Sequence, residues 1–597
     1  MQSPESTDFF HVGPNYLAQV TWKSTMTNRL FLEATAQKNY NQMTSQMQPG
    51  NNFDTVAAYD TEVNVYYRST PRLPVISLGP EPHNSETYRA TASYVTGSHN
   101  IKAGINLRHG LRYPNYISNG GSIFVETENF VPTGIVQLAT PFHFRDRLNA
   151  DGGIFAGDQW VISRLTLNYG ARYEFLRASV DPQSMPAGRF VPARSYPGVK
   201  DTPNWNDGTV RLAAAYDVFG DGNTAIKGSW GKYVVGEQLA LADQANPIER
   251  TIRETTRDWN DRNGDFVPDC DLDNRFANGE CGQIDDLNFG LNDPDATQLD
   301  ADLYTGSGKR QHQWEQSLQF QHQLMTGVAV NVGYFRRTYH NFRVTENLQV
   351  TPGDFDAFSV IAPSDPRLPG GGGYVISGLY DVVPAKFGDV TRLTTLEKNF
   401  GKRKEVYDGI DLTTTIRWQN GMNVQGGLNM GRTALNTCYA VDSPQQRDLK
   451  IGSDLACDVA PPFQPSVKFL GVVPLPVWGL QVGAAFQSVP GPQITASMRF
   501  PRSAILGLGR PLNQSRTGGV PLIKPGTLYN DRITTVDGRI TKEFRIQNAR
   551  IQASLDAYNL LNSSAVIAQN NSFGSAWQNP QAIVTGRWLK LTARVVF

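Results

Sequence analysis

The chain has 597 residues, more than one soluble core usually organises, and it is rich in Gly (55), Phe (29), Tyr (23) and Trp (10) with only 18% charged residues. That mix favours one very large sheet over a set of helical domains. Lys plus Arg equals Asp plus Glu at 55 each, so a net charge of zero gives no electrostatic basis for a nucleic-acid or polyanion partner. The most apolar stretch, Val472 to Phe486, is broken by Pro474, Pro476 and Gln481, which excludes a membrane-spanning helix of ~18 apolar residues.

In chain order, the N-terminus from Met1 to Asp8 has neither a basic region nor an apolar one, so no export signal is expected within it. Alternating segments then begin near Tyr16, Arg29, Glu86 and Ile101, and the parity is unreadable between Gly110 and Gly152. From Leu165, Leu167, Tyr169, Ala171, Tyr173 and Phe175 oppose Thr166, Asn168, Gly170, Arg172 and Glu174. Further segments start near Val210 and Ala225. From His312, Trp314, Leu318, Phe320 and Leu324 oppose an unbroken polar row of Gln313, Glu315, Ser317, Gln319, Gln321 and Gln323. Such a row suits a wet interior better than a packed core. His312 and His322 fall on the apolar side. Others begin near Val328, Val406, Val424, Val467, Leu480, Ile533 and Ile551, giving roughly 16 to 19 strands.

The last segment places Leu589, Leu591, Ala593, Val595 and Phe597 on one face and Lys590, Thr592 and Arg594 on the other. Tight turns at Gly97-Ser98, Gly220 to Asn223, Thr326-Gly327 and Asn420-Gly421 join segments in pairs. Long polar stretches near 181–207, 236–310, 343–404, 437–464 and 491–530 lie between the pairs. Repeated apolar faces with no second layer, and short turns alternating with long loops, predict an all-β, antiparallel transmembrane barrel with its loops outside the cell.

The four cysteines form two close pairs, Cys270 with Cys281 and Cys438 with Cys457, both in predicted loops and without CxxC spacing or a nearby His. Local disulfides are expected, with free thiols or a metal site as the alternatives. In the loop from Asp258 to Asp273, Asp261, Asn263, Asp265 and Asp269 offer oxygen ligands around Gly264. Calcium is the cation such hard ligands would take, although no closing Glu makes an EF-hand; the alternative is a solvated acidic loop. No other cofactor is expected. Gly370 to Gly373 lacks the Lys and helix start of a phosphate loop, and no GxSxG or HExxH motif exists, so an enzyme is not expected. Arg172, Glu174, Glu315, Gln319, Gln321, Lys590 and Arg594 are expected to line the lumen, where they solvate it or meet a plug or solute.

Asp158 to Glu174, with Asp158-Gln159-Trp160 and Asn168-Tyr169-Gly170-Ala171-Arg172-Tyr173-Glu174, resembles the barrel hairpin of TonB-dependent outer-membrane receptors. Arg211 to Thr224 and Ser377 to Gly388 resemble segments of the Oar-like group, and terminal Phe597 resembles the signal read by the barrel-assembly machinery. The resemblance implies a 22-stranded barrel of which 1–597 is the N-terminally truncated, C-terminal majority. It also implies a signal peptide, a carboxypeptidase-regulatory-like domain, a TonB box and a plug elsewhere. The implied function is uptake of an unidentified ligand across the outer membrane, coupled to TonB, ExbB and ExbD through the absent part. A passive porin and a secreted adhesin or glycan-binding protein are the alternatives.

Overall fold

The computed structural model describes all residues except 1, 8, 63–64, 71–72, 75–82, 440–443, 445–453, 515–516, 547–548 and 597. Its main sheet has nineteen strands, two of which, Thr305–Ser307 and Asp458–Val459, are short pieces at a margin. The other seventeen are long: β1 (Phe9–Thr25), β2 (Leu30–Gln46), β3 (His83–Thr96), β4 (His99–Arg112), β5 (Asp146–Ile162), β6 (Leu165–Val180), β7 (Asn204–Asp217), β8 (Thr224–Val234), β9 (His312–Met325), β10 (Val328–His340), β11 (Lys404–Arg417), β12 (Asn423–Asn436), β13 (Gln464–Pro474), β14 (Leu480–Val489), β15 (Ile533–Ile546), β16 (Ala549–Tyr558) and β17 (Trp588–Val596). Each pairs antiparallel with the next, from β1·β2 and β2·β3 through to β16·β17. Among the described residues no ladder joins β17 back to β1, and the chain's own strands stop short of the twenty-two that the resemblance implies.

Register converts alternation into two chemically distinct faces, because a period of two keeps partners on the same side. One cross-strand row runs Trp22, Ala34, Ala90, Ile105, Ile154, Tyr173. A second runs Phe320, Val332, Leu412, Leu428, Val467, and a third Ile540, Leu555, Leu591. These side chains are widely exposed, Leu591 to 83%. The opposite face carries rows such as Lys227, Gln319, Gly333, Asp411, Asn429, Ser466 and Arg539, Asp556, Lys590. A sheet that exposes its apolar rows and keeps polar rows inside is built for lipid on one side and water on the other. Among the described residues no helix is long and apolar enough to cross a membrane.

Connections alternate strictly between the two rims. Short turns occupy 26–29, 97–98, 163–164, 218–223, 326–327, 418–422 and 475–479, and β15 is followed within two residues by β16. The intervening long connections are L1 (47–82), L2 (113–145), L3 (181–203), L4 (235–311), L5 (341–403), L6 (437–463), L7 (490–532) and L8 (559–587). L1, L2 and L8 are additional to the loops read from sequence. The region of unreadable parity is L2, which carries strands of its own at Ile123–Glu128 and Val131–Leu138.

The long loops pack into two lobes. In the first, L1, L2 and L4 build a six-stranded sheet in the order Cys281–Ile284, Glu254–Trp259, Val131–Leu138, Ile123–Glu128, Ala57–Asp60, Val65–Tyr67. Ala58, Ile123, Val125, Ile135 and Trp259 are buried on one side of it, and Ala57, Phe124, Val136 and Leu138 on the other. In the second lobe, Phe358, Val360, Ile376 and Leu379 of L5 pack with Phe500, Leu522 and Ile523 of L7 and Trp577 of L8. Arg510 of L7 ties this lobe together, donating to Asp356 at 2.9 Å and Asp381 at 2.6 Å.

Candidate functional site

L4 does two jobs. Its strands at Glu254–Trp259 and Cys281–Ile284 belong to the first lobe, while its short helix, Ala240–Ala245, turns down onto the sheet. Leu241 and Ala242 bury against Leu148, Leu176, Ala178 and Val180 and against Trp205 of β7. Trp205 is fully buried, and its indole N–H donates to the Leu303 carbonyl at 2.6 Å. Two guanidinium groups, Arg310 and Arg343, each stand 5.7 Å from its ring centroid, a distance at which a cation is drawn to an indole face. Arg310 pairs with Asp207 at 3.2 Å, with both side chains almost wholly buried. Arg343, at the start of L5, pairs with Glu237, at the start of L4.

A polar cleft of about 850 Å³ opens above this knot, where L4 faces L5. L4 contributes Glu237, Asp243, Glu249, Arg250, Asp293, Asp295 and Gln311; L5 contributes Phe342, Arg343, Arg392 and Arg403; and Glu405 reaches it from the rim of β11. L4 and L5 meet beside the cleft in a small sheet, where Gln298–Leu299 of L4 pairs parallel with the Arg392–Leu396 strand of L5 and Arg343–Asn347 pairs antiparallel with the same strand. The cleft floor is stiff. Arg403 lies 4.1 Å from the centre of the Phe342 ring and pairs with Glu405 at 2.5 Å. The Glu397 carboxylate accepts the Arg403 backbone N–H at 3.1 Å, while the Glu397 backbone N–H donates to the Phe342 carbonyl at 2.9 Å. Burial pushes the Glu397 carboxyl up to about 6. A second cavity of about 590 Å³ lies against β4 to β9 and is lined by Phe155, Trp230 and Tyr233 as well as Lys102, Arg172, Arg211 and Glu315.

The polar-face residues read from the sequence are mostly tied to neighbours. Arg172 pairs with Glu174 at 3.2 Å, Glu315 with Arg337 at 2.9 Å, and Gln321 accepts from Lys227 at 2.6 Å. Gln319 and Lys590 sit in the polar rows described above, and Arg594 faces Gln552. His312 stacks on His340 with 5.3 Å between ring centroids, and His322 meets Thr224 at 2.9 Å. Leu589, Leu591, Ala593 and Val595 share the apolar side of β17, while Phe597 lies outside the described residues.

Cys270 joins Cys281 and Cys438 joins Cys457, with Cα separations of 5.9 Å and 4.7 Å. The first bridge closes the acidic segment of L4. There Asp261 accepts the backbone N–H groups of Gly264 and Phe266 at 2.9 and 3.0 Å, and Asp265 accepts that of Val267 at 2.7 Å. The Asn263 side-chain nitrogen donates to both Asp265 and Asp269 at 3.1 Å. Among the described residues no group of three or more His, Cys, Asp and Glu side chains is arranged to hold a metal ion. Glu280, not singled out in the sequence, gathers this segment by accepting from the Arg262 backbone, the Trp259 indole and the Asp269 backbone at 3.0, 3.2 and 3.3 Å. The first of these bonds leads in holding its carboxyl below the usual range.

The comparisons with known proteins agree with this architecture. The fold matches the outer membrane transporter YddB from Escherichia coli with a TM-score of 0.51 at 11% identity, covering 98% of this chain and 62% of that one. The ferric-catecholate import receptor Fiu from E. coli K12 (TM-score 0.47, 11% identity, 97% of this chain and 63% of that one) is also similar. So is the ferric yersiniabactin uptake receptor FyuA from Yersinia pestis (0.44, 10%, 98% and 62%). The chain thus spans less than two thirds of the length of these structures. No curated protein matches it. The family profile described as an outer membrane beta barrel domain matches residues 7–433, more than half of the chain, and the protein belongs to that family of outer-membrane barrels.

Proposed function

We propose that this chain is the barrel portion of a TonB-dependent outer-membrane receptor of the Oar-like group. The observation that carries the reading is the charged cleft between L4 and L5 at the long-loop rim of a sheet with one apolar and one polar face. A ligand caught between L4 and L5 would be held at the mouth of the barrel, as capture followed by uptake requires. The unpaired edges of β1 and β17 support completion of the barrel by strands outside this chain, because an open backbone edge in lipid costs several kcal/mol per unsatisfied group. A plug and a TonB box in that remainder would supply the coupling to TonB, ExbB and ExbD, and the terminal strand, Phe597 included, would be read by the barrel-assembly machinery. No catalytic role and no nucleic-acid partner belong to this reading.

Nutrient-dependent growth of three strains tests it: wild type, a deletion of this protein and a deletion of TonB. The receptor reading expects every nutrient whose uptake fails without the protein to fail without TonB as well. Failure only without the protein would identify a passive porin. Full uptake in both deletions would point to an adhesin.

For the 258–273 segment we propose calcium as an optional occupant, entering where the Asn263 amide turns its oxygen toward Asp265 and Asp269. Millimolar calcium slowing proteolysis within the segment supports this; an unchanged rate leaves the hydrogen-bonded loop alone.

A further inference from the structure

We infer that the ligand of the cleft between L4 and L5 is a small zwitterion, presenting a carboxylate and an ammonium group, and that the Arg343–Glu237 pair is the clasp it opens. This inference rests on the receptor reading above. The two residues line the cleft from opposite sides, with Arg343 on L5 and Glu237 on L4, 106 positions apart in sequence. Both are largely withdrawn from water, with side-chain exposures of 19% and 11%. Arg343 is also held from behind by the buried Trp205 ring, which is itself fixed by the Leu303 carbonyl. Its guanidinium is therefore presented in a set orientation, with five N–H groups available for shared or exchanged bonds.

A ligand that enters here competes with the clasp. A carboxylate alone would satisfy Arg343 and leave Glu237 withdrawn from water with no cation, and an ammonium alone would do the reverse. Breaking a buried pair from one side is strongly unfavourable because the abandoned charge stays desolvated. A zwitterion replaces both halves at once and leaves no orphan. The remaining walls agree with this selection. Five further carboxylates, Asp293 and Asp295 among them, outnumber the three further guanidinium groups, Arg250, Arg392 and Arg403, and oppose a multiply anionic ligand. A cleft of about 850 Å³ holds a compound of oligopeptide size. Glu237 follows β8 by three residues and Arg343 follows β10 by three, so exchange at the clasp acts at the barrel rim, while Gln298–Leu299 of L4 stays paired with the Arg392–Leu396 strand of L5.

Calorimetry on the intact protein in detergent tests the assignment with three probes: triglycine, N-acetyl-triglycine and triglycine amide. Triglycine is expected to bind, each capped form at least tenfold more weakly, and E237Q and R343Q to lose the preference for free termini. The comparison of probes on the wild-type protein needs no variant, and heat-modifiable migration identifies any variant that fails to fold. Equal binding of capped and free peptides, or no binding of triglycine, overturns the zwitterion clasp. The receptor reading then stands or falls separately on the deletion-strain uptake experiment.

Discussion

Single residues set the behaviour of the cleft floor. Glu397 is buried and its carboxyl is pushed from 4.5 to about 6, so folding favours its protonated form. Its contribution to L5 is therefore lost as pH rises through the window from 4.5 to about 6. Hydrogen-exchange protection across 392–403 is expected to fall over that window, and E397Q, which can still accept from the Arg403 backbone, is expected to flatten the profile. An unchanged profile in E397Q would remove Glu397 from the account. The Cys270–Cys281 bridge acts on a stretch of L4 whose polar groups bond mostly to each other. Replacing both cysteines by Ser is expected to cost about 2–4 kcal/mol locally, read as faster proteolysis within 258–284 while the barrel still migrates as a folded species. Equal proteolysis would show that Glu280 and its hydrogen bonds suffice. The candidate site was only partly legible at this scale. Close cysteine pairs and an acidic run are local patterns, whereas Glu237, Arg343 and Trp205 meet only after the chain has folded and none lies in a recognisable motif.

Elements were the most legible level, because alternation with a period of two is a direct imprint of a sheet with unlike faces. Most strand starts, the polar row on β9 and the split of β17 fall where that pattern places them. L2 was not readable because its own strands pack on both sides, so Phe124 and Val125 are both buried and no single face is marked by polarity. The lobes were invisible for a related reason: Trp577 of L8 shares a core with Phe358 of L5, and no window of sequence contains both. The lipid-facing assignment of β17 can be tested directly. L591D places a charge on the apolar face and is expected to cost on the order of 2–3 kcal/mol near mid-membrane, lowering the yield of heat-modifiable barrel. T592D, on the polar face, is expected to assemble normally. Equal yields would contradict the facing of this strand.

At the scale of the whole molecule, the two rims differ in kind. One carries short turns, and the other carries loops that build two hydrophobic cores and enclose a charged cleft. The membrane-embedded sheet is expected to separate an outer lobed rim from a periplasmic turn rim, and membrane-impermeant maleimide labelling of intact cells checks that orientation. Among the described residues there is no free cysteine, so introduced thiols can be read against a low background. L348C lies in L5, where Leu348 is 50% exposed, and V477C lies in a short turn, where Val477 is 54% exposed. The account predicts labelling of L348C in intact cells and of V477C only after the outer membrane is permeabilised. Labelling of both in intact cells, or of V477C alone, would contradict it.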